Sequence, residues 1–536
     1  MLHSSVSANS STCDLPTSLY RASQVRALDQ QLMASTGLTS IELMSRAAAY
    51  ALEVLLARYP WVHHLYVFAG TGNNGGDGYF LAKMAASRGL AVDVLEPGDI
   101  AKLSADVKGA RSDALAAGVR CACFTSDDTL CVKRDSVVVD AMLGTGLSRE
   151  PSEEFSHAIA WINEQDARVL ALDVPSGLSS DTGMALGLAV RADATVSFIG
   201  LKQGLFTGQG PELCGQIFYG SLGLGEEITQ LSASASQVSR VDYPNSKHLL
   251  SRRRRDAHKG SCGSVLVLGG DDGFGGAAMM AAEAATRSGA GTVTLITRSA
   301  NVTAMLSRRP EVMALGIDCL DESALGLLHK SIVRASAIVI GPGLGTQSWG
   351  QALLNETLRM AGRDKPILVD ADALNLLASK RADMEAMTGT GSGGGLGGRN
   401  WVLTPHPGEA ARLLGKPLVQ LQSDRFACAH ELLEAWGGVC VLKGAGSLLC
   451  YGQTSGDVSV NVCTEGNPGM ASGGMGDVLS GIIGALLAQG LNAPQAARLG
   501  VCVHGEAADL AALDNGERGL LATDLLPYVR RLLNDC

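Results

Sequence analysis

Residues 65–78 read Leu-Tyr-Val-Phe-Ala-Gly-Thr-Gly-Asn-Asn-Gly-Gly-Asp-Gly, and a helical stretch follows from Tyr79 to about Arg88. A buried strand that runs through a glycine loop into a helix is an arrangement that cradles phosphate, because successive backbone N–H groups and the helix dipole meet the anion. It is not a standard dinucleotide fingerprint, since Asn73, Asn74 and Asp77 add amide and carboxylate groups to the loop. Outward from it, short β-branched runs alternate with helical stretches: Ala91–Leu95, Val137–Asp140, Val169–Asp173 and Ala194–Phe198. Such runs predict an α/β fold with a buried parallel sheet, whose ligands bind at the carboxyl ends of the strands. Upstream, Ser23–Arg58 reads as two helices leading into the sheet.

Two further strand ends carry compatible groups. Val137–Asp140 ends in a carboxylate ahead of Leu143-Gly-Thr-Gly-Leu-Ser-Arg149, and Val169–Asp173 leads into Pro175-Ser-Gly177. One of Asp140 and Asp173 could hold a hard cation with Asn74 through oxygen ligands while the other exchanges protons. The plainer reading makes both of them helix caps or turn residues.

Gly225–Asp256 breaks the pattern with a serine-rich stretch, Tyr243-Pro-Asn-Ser and the basic run Arg252–Arg255, and reads as a solvated connection between domains. A second α/β series follows through Ser264–Leu268, Thr292–Ile296, Ala337–Ile340, Ile367–Asp370, Trp401–Thr404 and Val439–Leu442. Its strand ends carry Gly269–Gly276, Gly341-Pro-Gly-Leu-Gly345, Asp370-Ala-Asp-Ala-Leu-Asn375, Thr404-Pro-His-Pro-Gly-Glu409 and Lys443-Gly-Ala-Gly-Ser447. Near the C-terminus Gly466-Asn-Pro-Gly-Met-Ala-Ser-Gly-Gly-Met-Gly-Asp477 runs directly into the apolar helix Val478–Leu487. There a glycine-lined helix start suits a phosphate or developing oxyanion, and Asp477 sets a carboxylate beside it for proton transfer. The pair points to chemistry on a hydroxyl next to a nucleotide phosphate. Singly, His406 reads as a structural or capping histidine, Lys443 as a phosphate contact, and Asp372 as a helix cap.

The bulk properties set bounds. A chain of 536 residues exceeds one core and predicts at least two domains. Hydrophobic residues at 46% and charged ones at 18% describe a globular protein; aromatics at 4% leave packing to Ala, Val, Leu and Gly. A net charge of −10 argues against nucleic acid as a partner. The 13 cysteines are scattered, only Cys121 and Cys123 lie close together, and no paired C-x-x-C elements mark a zinc site. A reducing compartment with buried thiols such as Cys440, Cys450, Cys463 and Cys502 is the natural reading. No apolar run reaches the roughly 18–20 residues of a membrane span, so no membrane partner is expected. Residues 1–20 read as a disordered tail, and Thr388–Arg399, with its run of glycines, as a flexible insertion.

GNNGGDG, DAMLGTGL, LDVPSG and the downstream Lys202 together resemble the N-terminal domain of the NAD(P)HX epimerases, the YjeF N-terminal family. HKG, GPGLG, DADALN, TPHPGE, KGAG and GNPGMASGGMGD resemble, in order, the ribokinase-type NAD(P)HX dehydratases, and Pro310-Glu-Val-Met313 agrees. The resemblance covers about Arg21 to Leu533 and departs only slightly, at Ala47-Ala48, where the family more often has Ala-Gly. It implies a Rossmann-like three-layer α/β/α sandwich over 21–245 and a ribokinase-like α/β domain over 246–536. In the first domain it implies substrate contacts from Asn73, Asn74, Gly75, Gly76 and Asp77, and from Gly144, Thr145, Gly146, Leu147, Ser148, Arg149 and Glu150. It also implies a potassium ion on Asn74, Asp140 and Ser176, with Asp173 as substrate contact and catalytic acid/base.

In the second domain the resemblance implies that Ala277, Gly343, His406 and Asp477 meet the hydrated dinucleotide. Lys443, Gly444, Ala445, Gly446, Ser447 and Gly476 would meet the adenine nucleotide, and Asp477 is the expected catalytic base. The implied activity is epimerisation of R and S NADHX and NADPHX, then dehydration of the S form with ADP or ATP and a divalent cation such as magnesium. The alternative is a vitamin or sugar kinase with a non-catalytic N-terminal binding module. A homo-oligomer and a cytoplasmic location are expected, with the mitochondrion left open.

Overall fold

The computed structural model describes residues 15–125, 132, 135–232, 237–379, 399–453 and 456–535. The glycine-rich insertion at 388–399 falls almost wholly outside the described residues, as do residues 1–14. The chain divides into two compact units, Met1–Ser239 and Arg240–Cys536.

In the first unit, the described residues form a seven-stranded sheet of β1 (His64–Ala69), β2 (Ala91–Glu96), β3 (Arg120–Cys123), β4 (Ser136–Ala141), β5 (Arg168–Leu172), β6 (Ala194–Phe198) and β7 (Gln216–Gly220). The order is β3-β2-β1-β4-β5-β6-β7, every pairing is parallel, and the order reverses between β1 and β4. A crevice opens at such a reversal because the two flanking connections leave toward opposite faces. Side chains alternate as the pleat requires: Leu65, Val67 and Ala69 of β1 join one buried cluster, and Tyr66 and Phe68 the other. Both faces are therefore covered, as the uninterrupted apolar runs demand.

Helix Ala22–Thr36 and helix Ser40–Arg58 precede the sheet, the latter opened by a capping box in which Thr39 and Glu42 bond each other's backbone. Ser18–Tyr20, assigned above to a disordered tail, is a buried strand instead, paired in parallel with Leu201–Lys202. Leu19 and Tyr20 are apolar residues with a core to enter, and a count of serines and threonines over 20 positions hides them.

The second unit repeats the plan. β8 (Ser264–Leu268), β9 (Thr292–Thr297), β10 (Met313–Gly316), β11 (Ala337–Ile340), β12 (Ile367–Val369), β13 (Trp401–Leu403) and β14 (Val439–Leu442) run parallel in the order β10-β9-β8-β11-β12-β13-β14. β15 (Ser447–Gly452) and β16 (Val458–Cys463) extend the sheet with antiparallel pairings. The order again reverses beside the first strand, between β8 and β11. Helices Gly275–Arg287 and Met475–Ala488 pack closely on one face; a Cβ at Gly481 would lie 2.2 Å from the Ala281 carbonyl oxygen. Small residues at that crossing replace the bulk that a chain so poor in aromatics lacks.

Candidate active sites

In the first unit the glycine loop itself forms the first turn of helix Asn73–Ser87, which starts six residues earlier than the apolar pattern from Tyr79 predicts. The glycines are needed for packing: a Cβ at Gly75 would sit 1.9 Å from the Gly70 carbonyl oxygen, and one at Gly76 2.5 Å from the Met44 sulfur. Gly75 thus brings the helix start against the end of β1 and Gly76 brings it against helix Ser40–Arg58, while Asn73, Asn74 and Asp77 reach the cavity. That cavity has a volume of about 740 Å³ and lies at the β1–β4 reversal. Residues 144–150 form part of its wall, as do Asp29, Asp173 and Lys202.

Asp173 follows β5 in the left-handed region, at φ 64°, unusual for a residue with a Cβ and characteristic of functional positions. Its Oδ1 takes a short hydrogen bond from the ammonium of Lys202, which also donates to Ser197 Oγ (3.1 Å) and the Phe198 carbonyl (3.0 Å). Lys202 is 1% exposed, and its strand is paired with Ser18–Tyr20. Asp77 faces this pair, and burial followed by the charges of Asp173 and Asp29 raises its carboxyl well above the ordinary range. Burial likewise lifts Asp29 to about 6. Neither Asp29 nor the Lys202–Asp173 pairing was legible in the motifs; Lys202 lies 29 residues from its partner.

Asp140 is wholly buried, and burial raises it to about 6 against hydrogen bonds that pull it down. Its carboxylate accepts the Ser176 N–H (2.7 Å), the Ser176 hydroxyl (2.6 Å) and the Met142 N–H (3.2 Å). Asn74 is 7% exposed, and both polar atoms of its amide are without a hydrogen-bond partner. A buried, unsatisfied amide oxygen costs free energy unless something binds it. An amide oxygen, a buried carboxylate and a hydroxyl are oxygen donors of the kind that suits a hard cation.

In the second unit Asp370, at the end of β12, is 1% exposed. It accepts the Lys443 ammonium at Oδ1 (2.8 Å) and the Ser480 hydroxyl at Oδ2 (2.7 Å). Glu409 Oε2 lies 4.0 Å from the same ammonium. Burial works to lower the pKa of Lys443, but Asp370, Glu409 and Asp477 outweigh it and leave the pKa raised. A Cβ at Gly476 would press to 3.2 Å from Lys443 Nζ, so this position in the helix start stays bare. One residue on, Asp477 is pushed up to about 7, first by burial and then by Asp370, and Glu409 reaches about 7 by burial.

His406 caps helix Pro407–Leu414: its Nδ1 accepts the Gly408 and Glu409 N–H groups, while Glu409 bonds the His406 N–H in return. Burial and the nearby Lys443 lower its pKa, which keeps the ring neutral for that bond. Asp372 departs from the expected cap. It lies within the first turn of helix Ala371–Ser379, and its Oδ2 accepts the Gly345 N–H (2.9 Å), tying the glycine turn after β11 to the β12 end. Gly343, in that turn, has φ 58° and sits against Phe274 and Ala277; a Cβ there would be 3.2 Å from the Ala277 Cβ. Behind the Lys443–Ser447 loop, buried Arg425 donates to the carbonyls of Leu442, Lys443 and Gly446 at 3.3–3.4 Å. Asp370 and Glu409 stand at the ends of motifs quoted above without a role assigned to them, and Arg425 and Ser480, which no motif singled out, complete the site.

Two carboxylates pushed up to about 7 beside a lysine-held aspartate can hand protons to and from a hydroxyl, and the glycine-lined helix start can hold a phosphoryl group. A family described as NAD(P)H-hydrate dehydratase matches residues 265–531, and the YjeF-related protein N-terminus matches residues 40–204. The bifunctional NAD(P)H-hydrate repair enzyme Nnr of Coxiella burnetii is 44% identical over 97% of this chain and 100% of its own length. This chain belongs to the bifunctional NAD(P)H-hydrate repair enzymes. The corresponding protein of Escherichia coli is 40% identical over 97% of this chain and 95% of its own length. A Bacillus subtilis ADP/ATP-dependent NAD(P)H-hydrate dehydratase, solved with ATP and Mg2+, is 28% identical over 54% of this chain and 95% of its own, with a TM-score of 0.45. Among the described residues no helix is long and apolar enough to cross a membrane, and every described cysteine is a free thiol.

Proposed function

We propose that the first unit interconverts the R and S epimers of hydrated NADH and NADPH at carbon six, and that the second dehydrates the S epimer at the expense of ADP or ATP. The observation that carries the second half is Asp477, a carboxylate held near pH 7 at a helix start that abuts the Lys443–Asp370 pair. In this reading Asp477 takes the proton of the carbon-six hydroxyl as its oxygen attacks the terminal phosphorus and the shortened nucleotide leaves. Lys443 and the N–H groups of Gly474–Gly476 hold charge on the transferring group. The carbon–oxygen bond then breaks with loss of phosphate and of a proton from the adjacent carbon, restoring the dihydropyridine. Hydroxide leaves poorly at neutral pH and phosphate leaves well, which is what the nucleotide contributes. A divalent cation such as magnesium would accompany the nucleotide and neutralise phosphate charge when bound.

In the first unit, burial and the ion-paired Asp173 raise the carboxyl of Asp77 well above its ordinary range, which favours its protonated form. Asp77 would protonate the departing hydroxyl, and Asp173 would receive a proton from the returning water. Asn74, Asp140 and Ser176 would hold a potassium ion, whose charge would steady anionic groups of the dinucleotide.

The test is recovery of the reduced-nicotinamide absorbance from mixed NADHX epimers with ADP, ATP or neither. Nucleotide-dependent recovery of both epimers is expected. Recovery that stops when the S form is consumed would refute the epimerase half. No recovery with either nucleotide would refute the dehydratase half and favour a kinase for another metabolite.

A further inference from the structure

A second chemistry-bearing cluster lies at the root of the glycine loop. Cys463 ends β16, Glu465 follows two residues on, and Cys502 projects from helix Ala493–Asn515. Their ligating atoms all lie within 4.8 Å of one another. Cys463 Sγ is 3.9 Å from Glu465 Oε2, and Cys502 Sγ is 3.6 Å from the Ser246 hydroxyl. Cys463 and Cys502 are 3% and 0% exposed, whereas Glu465 is partly open to solvent and gives the cluster an entry side.

From this geometry we infer that Cys463, Cys502 and Glu465 form a binding site for a thiophilic divalent cation of the zinc class. Two ligands of one tetrahedral zinc ion stand roughly 3.5–4 Å apart, given zinc–sulfur and zinc–oxygen bonds of about 2.3 and 2.1 Å. The sulfur–carboxylate pair already has that spacing. Two thiolates and a carboxylate around a dication carry a net single negative charge. The Arg498 guanidinium, bonded to Ser246 Oγ at 3.0 Å, stands ready to balance it. Ser246 or a water would complete four-coordination, and binding releases to solvent the protons the ligands hold. The site is anchored to the catalytic loop: Gly466, adjacent to Glu465, donates its N–H to Asp509 of the helix that carries Cys502 (2.9 Å), and Asn467 bonds the same carboxylate (2.8 Å). An ion here would pin the start of the segment that ends at Asp477.

The experiment is a Co2+ titration of the chelator-treated full chain, read by the thiolate-to-cobalt charge-transfer band and by competition with Zn2+. A band saturating at one equivalent and displaced by Zn2+ is expected. Cys463→Ser and Cys502→Ser should each weaken Co2+ binding by roughly 100-fold or more, while Cys123→Ser, at an exposed cysteine of the other unit, should leave it unchanged. Because Cys502 is fully buried, circular dichroism and the melting temperature of each variant are checked first, and Glu465→Gln serves as a further variant if Cys502→Ser does not fold. No one-equivalent band, or a band that persists in folded Cys463→Ser and Glu465→Gln, would overturn the site.

Discussion

Replacing Asp477 by asparagine removes the proposed base while keeping its shape, and its consequences can be worked out on two axes. For rate, a positioned general base contributes about 10²–10⁴-fold. Asp477→Asn should lower kcat for S-NADHX dehydration by that factor and leave KM for ADP or ATP within about threefold, because Lys443 and its loop are untouched. The wild-type rate should rise with pH through about 7, since the ionised form acts, and should fall about tenfold per pH unit below it. For stability the sign is opposite. A carboxylate whose folded pKa is raised from 3.8 to about 7 keeps its proton longer in the native state, so folding loses stability as pH climbs between those values. At about 1.4 kcal/mol per pH unit the charged group costs on the order of 4 kcal/mol at pH 8. The neutral asparagine avoids that cost, so the variant should melt higher than wild type at pH 8 and match it near pH 4. Absorbance recovery and thermal unfolding across that range read both axes. A variant that retains a fifth of wild-type turnover, or a wild-type rate flat between pH 6 and 8, would refute the assignment.

In the first unit, Lys202→Met leaves Asp173 without its ion-pair partner. It should destabilise that unit by about 3–5 kcal/mol and abolish epimerisation, while added S-NADHX is still dehydrated; denaturant unfolding and chiral separation of the epimers check both. Asp77→Asn keeps the loop's shape but has no proton to give. It should slow epimerisation at least about 100-fold, and a rate within fivefold of wild type would reduce Asp77 to a binding role. Arg425→Met strips donors from the carbonyls of Leu442, Lys443 and Gly446, each worth about 1 kcal/mol. KM for the nucleotide should rise about tenfold or more with a smaller change in kcat, which initial-rate kinetics at varied ADP and ATP resolve.

The central strands were legible because burial on both faces writes an apolar run into the sequence: Leu65–Ala69, Val137–Asp140, Ser264–Leu268 and Ala337–Ile340 each lie within a residue or so of the strands found. The edge strands were not. Arg120–Cys123 and Met313–Gly316 have partly or fully exposed residues throughout and no such run. The β15–β16 pair escaped because β15 follows directly on the glycine-rich Lys443–Ser447 loop and β16 alternates polar and apolar residues rather than forming an apolar run. Site residues carried by glycine motifs could be placed, since a glycine turn is a local property. The partners that set their chemistry could not, because Asp370 and Lys443 are 73 residues apart and Asp370 and Ser480 110. Arg425 opens an ordinary helix, and only its burial against three carbonyls distinguishes it from a surface arginine.

The two units reach the same electrostatic arrangement from unrelated residues. Each places a lysine–aspartate pair, Lys202–Asp173 or Lys443–Asp370, at the carboxyl edge of a sheet near the point where strand order reverses. Around each pair stand carboxyls that burial and the paired aspartate push upward: Asp77 and Asp29 in one, Asp477 and Glu409 in the other. One lysine faces several carboxylates in each crevice, an excess of negative charge that favours keeping protons on the raised carboxyls. Groups that share too few charges and hold protons near physiological pH are suited to passing them to a substrate hydroxyl. The difference lies in what the glycine-bearing loop does. In the first unit it packs a helix onto β1 and leaves a broad cavity beside Asp77. In the second, Gly476 leaves the helix start bare against Lys443, where a phosphoryl group can be held. On the proposed mechanism, that contrast, rather than the carboxylates, separates a site that returns water to carbon six from one that removes the hydroxyl as phosphate.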